Sequence, residues 1–227
     1  DAVEANRLQW SQSVALQAAC KSLPTGILQD WPAGTQVTVE TLAALMISQS
    51  DNTATDALLH LVGRGAVERY LPGCKPVLST AEMFKLKNPD NSDLLLAYRA
   101  GSYAKRLEVI EQLENRELPE AGLFSGDPVA LDVEWFVCAR DLADLIEQVQ
   151  VLDLMTINAG LATKQDWRRV AFKGGSEPGV LNLTSWLEDK AGNRYTVVVT
   201  VNNDQKPLDE KFIMETYQAI LSLLVSR

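Results

Sequence analysis

Two short runs in this sequence combine residue types that could do chemistry. Ser50-Asp51-Asn52 sets a hydroxyl, a carboxylate and an amide side by side, between two stretches that are apolar at helical spacing. Three polar groups together at a helix start are a candidate for chemistry, but alone they are a weak signal, because Ser, Asp and Asn are also what ordinary helix caps are made of. Lys173-Gly174-Gly175-Ser176 places an ammonium group at the end of an apolar, strand-like stretch, followed by two glycines. Glycine in a strand marks a bulge or a close approach of backbone or ligand. Backbone N–H groups there could bind an oxyanion or pair with an extended substrate. A strand end with a solvated lysine is the plainer reading.

Other chemistries are disfavoured. A Ser-His-Asp triad would need His60, the one histidine, as its base. His60 lies in the apolar run of residues 57–62 and reads as a helix-face residue. Cys20, Cys74 and Cys138 form no Cys-x-x-Cys pair, so no zinc site, metal or other cofactor is expected; the thiols read as buried, with one disulfide open to an exported protein. Thirty acids against 21 bases give a net charge of -9 without a basic stripe, which speaks against nucleic acid and anionic membranes as partners. No run has the length of a transmembrane helix and no secretory signal is visible. The chain opens on Asp-Ala-Val-Glu rather than Met, and a removed upstream piece is expected.

These residues need elements to hold them. With 227 residues, 46% hydrophobic and 22% charged, the chain can bury a sizeable core. Residues 1–8 read as the last turns of a helix and 24–37 as loop. Residues 38–47 are helical, opened by Thr38 or Glu40; Asp51 caps a second helix over 53–62, which Gly63 ends. Residues 71–93, with three prolines, read as a long ordered loop, and 94–118 as helical. Loop follows over 119–128, then helices over 133–150 and 152–163. After Gln165 the pattern is strand-like over 169–173, 180–187 and 195–201, with a turn at 189–193. A closing amphipathic helix over 207–224 carries Phe212, Ile213, Tyr217, Ile220, Leu221 and Leu224 on its apolar side. Segregated helices and an antiparallel sheet mean an α+β fold. The expected organisation is one domain over 1–227, with a mainly helical lobe at 24–165 and strands plus closing helix at 166–227.

Taken together, Ser50-Asp51-Asn52 before a helix and Lys173-Gly174-Gly175 on a late antiparallel strand form a joint pattern. It resembles the active-site serine β-lactamases and penicillin-binding proteins, whose signatures are S-x-x-K, S-D-N and K-T-G. The wording around the first motif, Thr38-Val39-Glu40-Thr41-Leu42 leading to Ser50-Asp51-Asn52-Thr53-Ala54, is similar too. The resemblance implies a β-lactamase/transpeptidase-like fold and a small-molecule substrate, whether β-lactam, ester or peptidoglycan-like. It implies a place outside the cytoplasm, periplasmic or secreted. It also implies roles: Ser50 relays a proton to the departing nitrogen, Asn52 binds the substrate's amide, and Asp51 ties the loop. Lys173 supplies positive charge beside Ser50, and Gly175 and Ser176 line the substrate, with the Ser176 N–H as an oxyanion donor.

Three departures qualify it. The family's S-x-x-K lies about sixty residues before S-D-N, which here falls upstream of Asp1; no such pair stands at a plausible place in this chain. Ser11 and Ser13 lack the lysine, Ser222 and Ser226 lie in the closing helix, and Lys21-Ser22 has the wrong order. A separate N-terminal fragment or a longer parent chain would have to carry it, and without it the chain should be poorly stable. Next, the glutamate that primes water for deacylation is expected near Leu86, which is apolar; Glu82 is the nearest acid and reads better as an ion pair or helix-start contact. Last, Gly174 stands where a hydroxyl residue is usual. A serine hydrolase working through an acyl-enzyme is the first reading. A non-catalytic binding paralogue is the second, and an α+β interaction module whose S-D-N only caps a helix is the third.

Overall fold

The computed structural model describes residues 1–225; Ser226 lies outside the described residues. The chain forms two compact units, Asp1–Leu123 with Ala130–Phe136, and Phe124–Val129 with Val137–Arg227.

In the first unit, short strands β1 (Ser13–Ala15) and β2 (Gln36–Thr38) pair antiparallel. Helix α1 (Val39–Ser48) starts where the Thr38 hydroxyl accepts from the Thr41 N–H, and α2 (Asn52–Val62) stops at Gly63, whose φ of 83° suits glycine. Leu16, Leu28, Val37, Leu42 and Ala54 form the core beneath these elements. A second core, with Leu86, Val109 and Leu113 among its deepest members, joins α4 (Thr80–Lys87), α5 (Ser92–Ala100) and α6 (Tyr103–Leu113). The short α3 (Arg64–Glu68) follows α2 directly.

The second unit holds α7 (Ala139–Val149), the antiparallel strands β3 (Arg169–Glu177), β4 (Val180–Glu188) and β5 (Arg194–Asn202), and α8 (Glu210–Val225). The sheet order is β3-β4-β5, so β3 and β5 are its outer strands. Val170, Phe172, Leu181, Leu183 and Leu187 pack on one face with Ile213, Tyr217 and Leu221 of α8. The alternate residues make the other face, where the Trp186 indole N–H donates to Glu147 of α7.

Five expectations need correction. Residues 1–8 are turns rather than helix: Asn6 is left-handed at φ 53° and the Arg7 N–H bonds the Ala2 carbonyl, a Schellman-type closure. The loop expected over 71–93 contains α4, because Ser79 and Glu82 make a complete capping box between the prolines. The helical stretch over 94–118 breaks at Gly101-Ser102, where Ser102 caps α6. Of the two helices expected between 133 and 163, only Ala139–Val149 forms; Asp153–Thr156 is a single 3₁₀ turn. Phe212 does not face the core but is 65% exposed, since Ile213, Tyr217 and Leu221 hold the buried stripe and Phe212 lies about 100° around the helix from Ile213. The β1–β2 pair was not anticipated.

Candidate functional site

Asp51 organises the start of α2. Its side chain is fully buried and accepts three backbone N–H groups: Ala54 at 2.8 Å, Ile27 at 2.7 Å and Leu28 at 3.0 Å. One oxygen caps the helix while the other holds the loop 24 residues earlier. Gly26 sits against this carboxylate so closely that an added Cβ would lie 2.2 Å from it, and its φ of 100° favours glycine on its own account. Lys21 draws the same loop inward, its ammonium donating to the carbonyls of Leu28, Gln29 and Trp31.

Ser50, just before, is left-handed at φ 51°, a conformation rare for a non-glycine residue and often kept where function needs it. Its carbonyl accepts the Thr25 hydroxyl at 2.5 Å, and the next N–H bonds the Leu45 carbonyl at 3.2 Å. Asn52 donates its side-chain amide to the Leu23 carbonyl at 3.0 Å, and its backbone N–H meets the Thr25 carbonyl. Ser50, Asp51 and Asn52 are thus held as one rigid corner against residues 21–31.

A second buried carboxylate, Asp56, ties α2 to the start of α4 by accepting the N–H groups of Thr80 at 2.7 Å and Ala81 at 2.9 Å. Burial pushes its carboxyl up to about 6, with the Thr80 and Ala81 hydrogen bonds pulling the other way. Between about pH 4 and pH 6 the folded chain holds a proton that the unfolded chain has released. Stability should therefore fall as pH rises through this window, by on the order of 3 kcal/mol. Chemical denaturation at about pH 4.5 and 6.5 checks this: Asp56→Asn should lack that part of the slope, and an unchanged slope would assign it elsewhere.

Glu82, on α4, has both oxygens engaged. One accepts the Ser79 N–H at 2.7 Å in the capping box and the other pairs with Arg64 at 2.7 Å. Those bonds give it a structural task in the helix start.

Lys173 lies within β3, opposite Thr184 of β4, and Gly175 and Ser176 continue the strand opposite Asn182 and Leu181. The strand does not end at the lysine but runs unbroken through both glycines. The Lys173 ammonium is held below the usual lysine range by burial. Gly174 has a packing reason: an added Cβ would stand 2.9 Å from the Phe172 ring and 3.2 Å from the Asn182 carbonyl. A hydroxyl residue there would have to displace that ring.

Lys21, Thr25 and Asp56 were missed by sequence reasoning; their partners lie seven or more residues away, and only the acidic side chain in an apolar helix hinted at Asp56. One Ser-x-x-Lys run, Ser102-Tyr103-Ala104-Lys105, does occur, at the start of α6. There Ser102 is an exposed cap and Lys105 pairs with Glu108 at 2.8 Å in the open, so the lysine is bound to a carboxylate rather than poised as a base.

The sequence profile of the Beta-lactamase enzyme family matches residues 1–116, just over half of the chain. The chain belongs to this β-lactamase enzyme family. Solved structures give the same fold. A β-lactamase from Sphaerobacter thermophilus superposes with a TM-score of 0.60 at 20% identity, over 99% of this chain and 76% of that one. The penicillin-binding protein PBP-A gives 0.61 at 16%, over 100% and 76%, and an ancestral class A β-lactamase gives 0.62 at 15%, over 99% and 78%. None of the curated proteins compared matches the chain. Among the described residues of this β-lactamase-family chain, no group of three or more His, Cys, Asp and Glu could hold a metal, and no helix is long and apolar enough to cross a membrane.

Proposed function

We propose that this β-lactamase-family chain is the larger part of a serine hydrolase that opens a β-lactam, or a related amide or ester, through an acyl-enzyme. The observation that carries the reading is the rigid Ser50-Asp51-Asn52 corner, with Ser50 forced left-handed, in a chain that also bears Lys173-Gly174-Gly175-Ser176 on an outer strand. Within this proposal Ser50 passes a proton to the leaving nitrogen, Asn52 orients the substrate's amide, and Asp51 holds both. Lys173 offers positive charge to the developing anion, and Ser176 offers its backbone N–H, with Gly175 beside it on the strand. The nucleophilic serine and its lysine are supplied by residues outside these 227, from a separate N-terminal polypeptide or a longer parent chain. The site of action is proposed to be periplasmic or extracellular, as for the family it resembles.

Because Glu82 is committed to Ser79 and Arg64, no carboxylate of α4 is left to prime the deacylating water. The acyl-enzyme should therefore accumulate and turn over slowly. PBP-A, which shares the fold, has been seen in mutant form as an acyl-enzyme with penicillin G, and that supports stable acylation here. Intact mass spectrometry of the protein with its upstream residues, before and after exposure to penicillin G, tests the reading. A mass gain of one penicilloyl group that persists after removal of free drug is expected; an unchanged mass supports instead a binding paralogue without turnover.

A further inference from the structure

The first unit contains a cleft of about 270 Å³ that the proposed reaction does not use. The loop around Lys75 and residues 132–136 line it, together with Tyr98, Arg99 and Arg106. The walls are pinned. The Cys74 thiol donates to the Phe136 carbonyl at 3.1 Å and accepts the Phe136 N–H at 2.8 Å, and the Trp135 indole donates to the Leu78 carbonyl at 3.0 Å.

The charges are uneven. Asp132 is neutralised by Arg99 through two hydrogen bonds, at 2.7 and 2.5 Å, and Glu134 by the buried Lys87. That leaves Lys75 and Arg106. Among the described residues no carboxylate pairs with either. The Arg106 guanidinium lies 4.9 Å from the centre of the Tyr98 ring, and its Nε donates to the Tyr98 carbonyl at 3.0 Å. Its Nη1 also donates to the Lys75 carbonyl at 3.3 Å, so the stacking and these two bonds fix its plane while Nη2 keeps its donors for a ligand. A rigid, doubly cationic cleft is out of character for a chain of net charge -9. Phe136, 59% exposed, adds an aromatic surface at its edge.

We infer that this cleft binds a small organic anion, a carboxylate or phosphate carried on a flat apolar body, with Lys75 and Arg106 on the anionic group and the aromatic residues on the body. The volume falls just below the range typical of drug-sized ligands, which sets the scale of the ligand. The inference stands apart from the acyl-enzyme reading.

Phenyl phosphate is a suitable probe, followed by protein NMR on the isotope-labelled protein with its upstream residues. Saturable shifts of the Lys75 and Phe136 amides and the Trp135 indole are expected, with phenol at least about tenfold weaker. Lys75→Glu and Arg106→Gln should each weaken binding about fivefold or more, and Arg106→Lys, which keeps the charge, should lose less than Arg106→Gln. Three results would overturn the inference: no saturable shift up to about 10 mM probe, phenol binding as well as phenyl phosphate, or both charge-removing variants binding like the parent.

Discussion

Asp51→Ala should cost on the order of 4 kcal/mol of stability and lower the melting temperature by roughly 10–15 °C. The substitution removes one carboxylate and strands three N–H groups, the buried ones of Ala54 and Leu28 and the part-buried one of Ile27. Hydrogen bonds to a charged group contribute about 1.5–3 kcal/mol each, and buried donors left without a partner are costly in their own right. A lost helix cap alone costs only about 1 kcal/mol. The size of the effect therefore separates a plain cap from an anchor that also closes the loop over Gly26. Asp51→Asn keeps one acceptor but turns an NH₂ group toward the remaining donors, so an intermediate loss is expected. Denaturant titration of the three proteins checks this. A loss near 1 kcal/mol for Asp51→Ala would reduce Asp51 to an ordinary cap and leave the left-handed Ser50 unexplained.

The second large effect concerns Lys173. In the proposed reaction its ammonium faces charge that develops as the lactam ring opens, and removing a preorganised charge of this kind slows chemistry by about 10²–10³-fold. Lys173→Ala, in the protein with its upstream residues, should slow acylation by a reporter penicillin by that order. Burial already lowers the pKa of Lys173 itself. As a neighbouring cation it would also depress the pKa of a lysine base beside the nucleophile. Its removal should then let that base rise, moving the acidic limb of the acylation profile to higher pH. A rate within about threefold of the parent across the profile would take Lys173 out of the chemistry.

Much of the scaffold was legible because it rests on short-range signals. Thr38, Asp51 and Gly63 mark the ends of α1 and α2 as the residue types suggest, and β3, β4, β5 and α8 follow from their alternation and periodicity. The α+β class and the family membership followed from the same stretches. The failures have physical causes too. Three prolines and an Asn-Pro-Asp-Asn run point to loop and mask the Ser79-x-x-Glu82 capping box that starts α4. Two three-residue strands more than twenty residues apart, β1 and β2, carry no periodicity to read. Nothing local says that Ser50 is left-handed, because that conformation is imposed by Thr25 and by the loop that Asp51 and Lys21 hold. The candidate site can be named from residue types alone, whereas the bonds that make Ser50-Asp51-Asn52 rigid come from a segment some 25 residues earlier.

Peptide mapping of the penicilloyl adduct tests the central claim most directly. The protein with its upstream residues would be treated with penicillin G, quenched, digested and sequenced by mass spectrometry. The account predicts one modified serine, in a Ser-x-x-Lys pair outside residues 1–227, with Ser50 and Ser102 unmodified. Modification of Ser50 or Ser102, or no adduct at all on a folded protein, would contradict it.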